Sequence, residues 1–174
     1  FPLVLHGYLP DTPYPCVDVD NSAGARQAVN HLIGLGHTRI GFISNAPLWY
    51  AGAYERLQGY EQALEQAGLE AEPELMQTAS FLPETGQTAM RRLLALRKPP
   101  SAVFVAGDVI ALGALRALHA AGLQIPGDMA VVGFDDLFVA AFAHPPLTTV
   151  HVPVYGLGWT AAEVLIALGE GDAA

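Results

Sequence analysis

Several side chains that could do chemistry fall just after short apolar runs. Arg56 lies one loop beyond Arg39 to Ser44, and Phe81 follows Leu75 to Ala79. Gly107 and Asp108 follow Ala102 to Ala106, and Asp135 and Asp136 follow Met129 to Phe134. A carboxylate accepts from two vicinal hydroxyls, and a guanidinium fork donates to two oxygens. A ring such as Phe81 offers a flat apolar face to a sugar or a base. The set suits a neutral, hydroxyl-rich ligand. Each residue also has an ordinary structural reading. Asp108 fits the N-cap of the helix that follows it, Asp136 could hold a turn through its own backbone, and Phe81 could be core. Arg56 could pair with Glu55 or Glu61, a surface contact worth only ~0–1 kcal/mol. Asp135 directly follows a buried strand, where an unpaired carboxylate is costly, and is the best single candidate.

Other chemistries find no support. Six histidines (His6, His31, His37, His119, His144, His151) lack metal-ligand spacing. There is no G-x-S-x-G elbow, no phosphate loop and no G-x-G-x-x-G after a strand. We therefore expect a binding protein, not an enzyme, with no metal and no cofactor. Eight Lys and Arg stand against 17 Asp and Glu, a net charge of -9. The only close basic group is Arg91, Arg92, Arg97 and Lys98, which reads as a solvated helix face, so these residues are not expected to grip DNA phosphates themselves.

The elements that must position the site alternate between short apolar runs and amphipathic helices. Apolar types make up 52% of the 174 residues and charged types 14%, a globular composition. Short strands are expected at Leu3 to Leu5 and Cys16 to Val19. A helix capped by Asn21 runs to about Leu35, with Gly36 closing it. Strand Arg39 to Ser44, helix Ala53 to Ala67, strand Leu75 to Ala79 and a helix opening at Pro83 come next. Strand Ala102 to Ala106, a helix from Asp108 through Ala121, and strand Met129 to Phe134 follow. Strand Thr148 to Val152 and a helix from Tyr155 to Leu168 complete the series. This alternation predicts an α/β fold with parallel sheets flanked by helices. Ligands of such sheets bind beyond the carboxyl ends of the strands, where the candidates above fall. No apolar run approaches the ~20 residues of a membrane span. The single Cys16 fits a reducing compartment, and no signal peptide is visible at Phe1, so we expect the cytoplasm.

Six stretches, in order and spacing, resemble the LacI/GalR regulators. They are Val17-Asp18-Val19-Asp20-Asn21, Leu35-Gly36-His37-Thr38-Arg39-Ile40, Glu55-Arg56-Leu57-Gln58-Gly59-Tyr60, Asp108-Val109-Ile110-Ala111-Leu112-Gly113-Ala114, Val131-Val132-Gly133-Phe134-Asp135-Asp136 and Pro145-Pro146-Leu147-Thr148-Thr149-Val150. The resemblance implies a type I periplasmic-binding-protein-like fold of two subdomains closing on an effector. Residues 1–18 would end the N-terminal subdomain, 19–150 form the C-terminal effector-binding subdomain, and 151–174 return to the first. It also implies that Arg56 and Asp135 bind effector, that Phe81 stacks on it, and that Tyr50 and Gly52 line the pocket. Gly107 stands where many sugar-responsive members have asparagine, Val152 where glutamine is frequent, and His6-Gly7 near a frequent aspartate. The implied partners are a small-molecule effector, a sugar favoured over a purine, and operator DNA through an N-terminal helix-turn-helix absent from this chain. A homodimer is also implied. For its contact we expect Val109 and Leu112 with Leu137, Phe138 and Phe142, which could instead pack on the sheet. The rival reading is a periplasmic sugar-binding protein of a transporter.

Overall fold

A computed structural model describes residues 1–171. In chain order the elements are β1 (Leu5–His6), β2 (Cys16–Val17), α1 (Asn21–Gly34), β3 (Ile40–Ile43), α2 (Ala51–Gln66), β4 (Met76–Gln77), α3 (Pro83–Leu94), β5 (Ala102–Val105), α4 (Asp108–Ala120), β6 (Ala130–Asp135), β7 (Thr148–His151) and α5 (Val154–Glu170). The chain divides into two units. One joins Phe1–Asp20 to the segment from Val152 onward, and the other is Asn21–His151.

In the smaller unit β1 and β2 pair in parallel, with Leu5 opposite Cys16. The pairing is shorter than the sequence suggested because Asp18 turns its carboxylate back to accept from the N–H of Tyr8 and of Val19. α5 is apolar along much of its length and ends at Gly171, whose φ of 82° closes the helix in the left-handed region. Tyr155 and Trp159 stack along it, both exposed.

The larger unit is an open parallel sheet of order β4-β3-β5-β6-β7. Its central strands read Ile-Gly-Phe-Ile, Ala-Val-Phe-Val and Ala-Val-Val-Gly-Phe, and every one of these residues is buried. Continuous apolar runs of this kind belong to strands covered on both faces. One face carries an aromatic ladder. The ring of Tyr60 from α2 stacks on Phe42 of β3, Phe42 meets Phe104 of β5, and Phe104 meets Phe134 of β6. On the other face Ile43, Val103, Val105 and Val131 join Met90 and Leu93 of α3 and Ile110 and Ala114 of α4 in one apolar cluster. α3 and α4 cross with their backbones in contact. A Cβ at Gly113 would lie 1.7 Å from the carbonyl oxygen of Pro83, so only glycine permits this approach.

The edge strand β4 is confined to Met76–Gln77, because a 3-10 turn at Pro73–Leu75 takes Leu75 into the core first. α2 starts two residues before the expected Ala53 and stops, as its sequence suggests, before Gly68 at φ 69°.

Candidate ligand-binding site

The carboxyl ends of β3, β5 and β6 lie side by side, and β6 ends on an unusual backbone. Asp135 and Asp136 follow one another at φ 114° and 55°. For residues other than glycine such conformations cost of order 1–3 kcal/mol each and persist only where the surroundings impose them. The surroundings here are specific. The carboxylate of Asp108 accepts from the Thr149 hydroxyl at 2.6 Å and from the Leu137 N–H at 2.8 Å, tying the start of α4 to β7 and to the chain leaving β6. Asp136 contacts His151 at 2.8 Å, across the β6–β7 pair. The glycine of the Val-Gly-Phe-Asp-Asp stretch makes room for this brace, since a Cβ at Gly133 would lie 2.3 Å from Asp108 Oδ1.

This arrangement corrects the cap reading of Asp108. It is the first residue of α4, Gly107 takes the cap position, and the Asp108 carboxylate is turned to Thr149 and Leu137 instead. Asp108 is fully buried. Burial pushes its carboxyl above the usual range, while the bonds from Thr149 and Leu137 pull it back. Asn21 is corrected likewise. It is the first residue of α1, and its buried amide donates to Glu55 Oε2 at 2.9 Å while its oxygen accepts from Arg56 Nε at 2.9 Å.

Arg56 is therefore no surface arginine. It is buried in the second turn of α2, and it donates through Nη1 to the Ala106 carbonyl oxygen at 2.7 Å. The guanidinium carbon sits 3.8 Å from the centroid of the Phe134 ring. A flat cation over an aromatic face, fixed at Nε and Nη1, has little rotational freedom left. Nη1 also reaches Asp135 Oδ1 at 3.5 Å, the long edge of an ion pair.

Asp135 keeps 30% of its side chain exposed. Burial pushes its carboxyl up to about 6, and the nearby Arg56 charge is too weak to bring it back. Asp108 raises it further, while the Asp108 backbone N–H lowers it. A carboxylate that is costly to ionise and partly open is poised to accept hydrogen bonds from a ligand.

Around this pair stand the other candidates. Tyr50 and Phe81 meet edge to face, ring centroids 5.7 Å apart, and both are exposed. Phe81 is thus not core; it holds φ 41° in the loop after β4, where its N–H bonds the Asn45 carbonyl at 2.8 Å. Gly52 lies where a Cβ would contact Tyr50 and Asn21, and Gly107 where a Cβ would meet Asn45 and Asp135 Oδ2. The sequence reading missed three members of this cluster: Asn21, Phe134 and Asn45. Asn45 directly follows β3 and Phe134 precedes Asp135, so the strand-end rule covered both positions. Only their neighbours were singled out.

Of the residues expected at a subunit contact, Val109, Leu112 and Leu137 are half-buried. Phe138 and Phe142 are 79% and 83% exposed on a 3-10 segment after β6. Among the described residues no cluster of His, Cys, Asp and Glu could hold a metal ion. No described helix is long and apolar enough to cross a membrane.

An open parallel sheet that gathers a carboxylate, a guanidinium and aromatic rings at its carboxyl edge presents polar partners beside an apolar face where such sheets take their ligands. Residues 29–174 match the family model described as the periplasmic binding protein-like domain. The HTH-type transcriptional repressor CytR of Escherichia coli (strain K12) is 40% identical over 172 residues, 98% of this chain and 50% of that protein. The HTH-type transcriptional regulator CelR of Thermobifida fusca is 43% identical over 158 residues, 91% of this chain and 46% of that protein. A solved structure, the transcriptional regulator CelR–cellobiose complex, superposes with a TM-score of 0.93 at 40% identity, covering 98% of this chain and 53% of that one. The chain belongs to the periplasmic-binding-protein-like domain family, in its LacI/GalR branch. It spans about half the length of the curated relatives it matches.

Proposed function

We propose that this chain is the effector-sensing domain of a LacI/GalR-type transcriptional regulator, and that its effector is a sugar held by Arg56 and Asp135. The observation that carries the reading is the guanidinium of α2, fixed on the Ala106 carbonyl after β5, beside the partly open carboxylate that ends β6. Paired donors and acceptors of this kind read vicinal hydroxyls. The exposed rings of Tyr50 and Phe81 supply an apolar face beside them. That one relative is described in complex with cellobiose supports a sugar over a purine.

On this reading the chain binds its ligand without transforming it, in the cytoplasm, and controls operator binding by a helix-turn-helix outside these 174 residues. The relatives named as HTH-type regulators support this assignment, and favour it over a periplasmic protein of a transporter. Dimerisation through Phe138 and Phe142, with Val109, Leu112 and Leu137 behind them, would cover two rings now facing solvent.

A thermal-shift screen of the full-length protein against mono- and disaccharides, nucleosides and purines tests the proposal. A ligand present at ~100 times its dissociation constant adds about 2.7 kcal/mol. A sugar that raises Tm supports the reading; a response to nucleosides or purines alone contradicts the sugar assignment, and no response at all contradicts the effector assignment.

A further inference from the structure

Asn45 is buried, with 7% of its surface exposed, and its side-chain oxygen Oδ1 is enclosed without a hydrogen-bond partner. Such orphaned buried oxygens are uncommon in folded proteins and call for a physical reason. The backbone around Asn45 does not supply one. Its backbone carbonyl is engaged with the Phe81 N–H, while the side-chain oxygen holds nothing in place.

The neighbour across the strand ends is Gly107. Its φ of 170° is extended backbone that any residue adopts, so no conformational need selects glycine there. A Cβ at that position would lie 3.3 Å from Asn45 Cβ, 3.6 Å from Asp135 Oδ2 and 3.6 Å from Ile110 Cδ1. These are tight to ordinary contacts, so a small side chain would fit. What the glycine provides is a gap, with Asn45 on one side and the Asp135 carboxylate on the other.

From the orphaned amide and the gap beside it, we infer that Asn45 is a specificity-determining residue of the ligand site. Its carboxamide hydrogen-bonds a hydroxyl of the effector that enters the space over Gly107 and also meets Asp135. The inference rests on the effector reading above and deepens it. A carboxamide both donates and accepts, so it complements a hydroxyl in either direction, and its terminal torsion is soft enough to turn toward a ligand. Asp135, accepting only, and Asn45 together select a hydroxyl over an ether or a methyl at that position. Sugars that differ in one hydroxyl are thereby distinguished.

The test is calorimetric titration of the full-length protein with cellobiose, glucose, galactose and ribose, and with the monodeoxy analogues of whichever binds. Asn45→Ala is expected to weaken the parent sugar about tenfold, equal to about 1.4 kcal/mol. It should leave unchanged the affinity for the one analogue lacking the hydroxyl it reads. The unliganded Tm of Asn45→Ala and Asn45→Leu should match or exceed wild type, because the buried oxygen removed had no partner. Gly107→Ala, which fills the gap, should weaken the same sugar without lowering Tm. The inference is overturned if Asn45→Ala binds every sugar as wild type does while Arg56→Ala and Asp135→Ala fail, and the effector reading then stands. It is equally overturned if the loss is uniform across the analogues, or if Asn45→Leu lowers Tm with affinity intact. Binding of no sugar by wild type sinks the sugar reading and this inference with it.

Discussion

The guanidinium of Arg56 lies 3.8 Å from the centroid of the Phe134 ring, and Phe134 immediately precedes Asp135, the residue whose carboxylate the same guanidinium approaches. One strand end thus supplies both the surface on which the cation rests and the anion it faces. Phe134 is buried and is the last rung of the ladder that runs through Phe104 and Phe42 to Tyr60, one turn after Arg56 on α2. Helix and sheet fix the cation from two directions.

Phe134→Leu keeps an apolar side chain but removes the aromatic face. A buried cation–π contact contributes about 2 kcal/mol. We expect chemical denaturation to show a loss of about 1–3 kcal/mol, and effector affinity to fall several-fold as Arg56 loosens. Unchanged affinity would show that Asn21 and Ala106 hold the guanidinium without the ring.

Asn21→Ala removes the acceptor at Arg56 Nε and the donor at Glu55. Hydrogen bonds to charged groups contribute about 1.5–3 kcal/mol. The variant should lose stability of that order in urea titration, and effector binding should weaken about tenfold. A variant that binds like wild type would make Asn21 a packing residue only.

The brace below the site should be sensitive to both partners. Asp108→Ala leaves the Leu137 N–H and the Thr149 hydroxyl without their acceptor, a loss of about 1–3 kcal/mol or more. Gly133→Ala sets a methyl against the same carboxylate and should destabilise comparably. Thermal denaturation checks both, and the double variant should cost less than the sum of the two, since each breaks one brace.

Asp135 gives the protein a pH signature. Its carboxyl titrates at about 6 in the fold, against about 3.9 for an unfolded chain. Between these values the native state holds the extra proton, so its contribution to stability is present below about pH 4 and is lost as pH rises to about 6. Unliganded wild type should therefore lose relative stability across that window, and Asp135→Asn should not. Effector binding should run the other way. Hydroxyls donate best to the ionised carboxylate, so affinity should fall about tenfold per pH unit below about 6. Calorimetry from pH 5 to 8 reads this slope, and a flat profile would remove Asp135 from the contact.

Much of the architecture was legible in the sequence because the central strands are buried on both faces and read as unbroken apolar runs, and because Gly36, Gly68 and Gly122 close helices in the left-handed region. The edge strands were less so. β4 and β2 have few apolar residues to mark their limits; a 3-10 turn at Pro73–Leu75 delays the start of β4, and the bonds to the Asp18 carboxylate end β2 early. At the site, Arg56 and Asp135 stood out by charge next to apolar runs. Asn21 and Asp108 were misread because a polar residue before a helix fits a cap equally well; only the distant partners, Arg56 for one and Thr149 for the other, decide between the readings. The part played by Phe134 depends on a guanidinium 78 positions earlier in the chain, which no local pattern reveals.

The central claim, that Arg56 and Asp135 together hold the effector, is tested most directly by calorimetric titration of wild type, Arg56→Ala, Asp135→Ala and the double variant with the sugar that raises Tm most. The account predicts that each single variant binds at least tenfold more weakly than wild type, and that the double variant loses less than the sum, because the two residues contact one ligand and each other. Single variants that bind the sugar as tightly as wild type would contradict it.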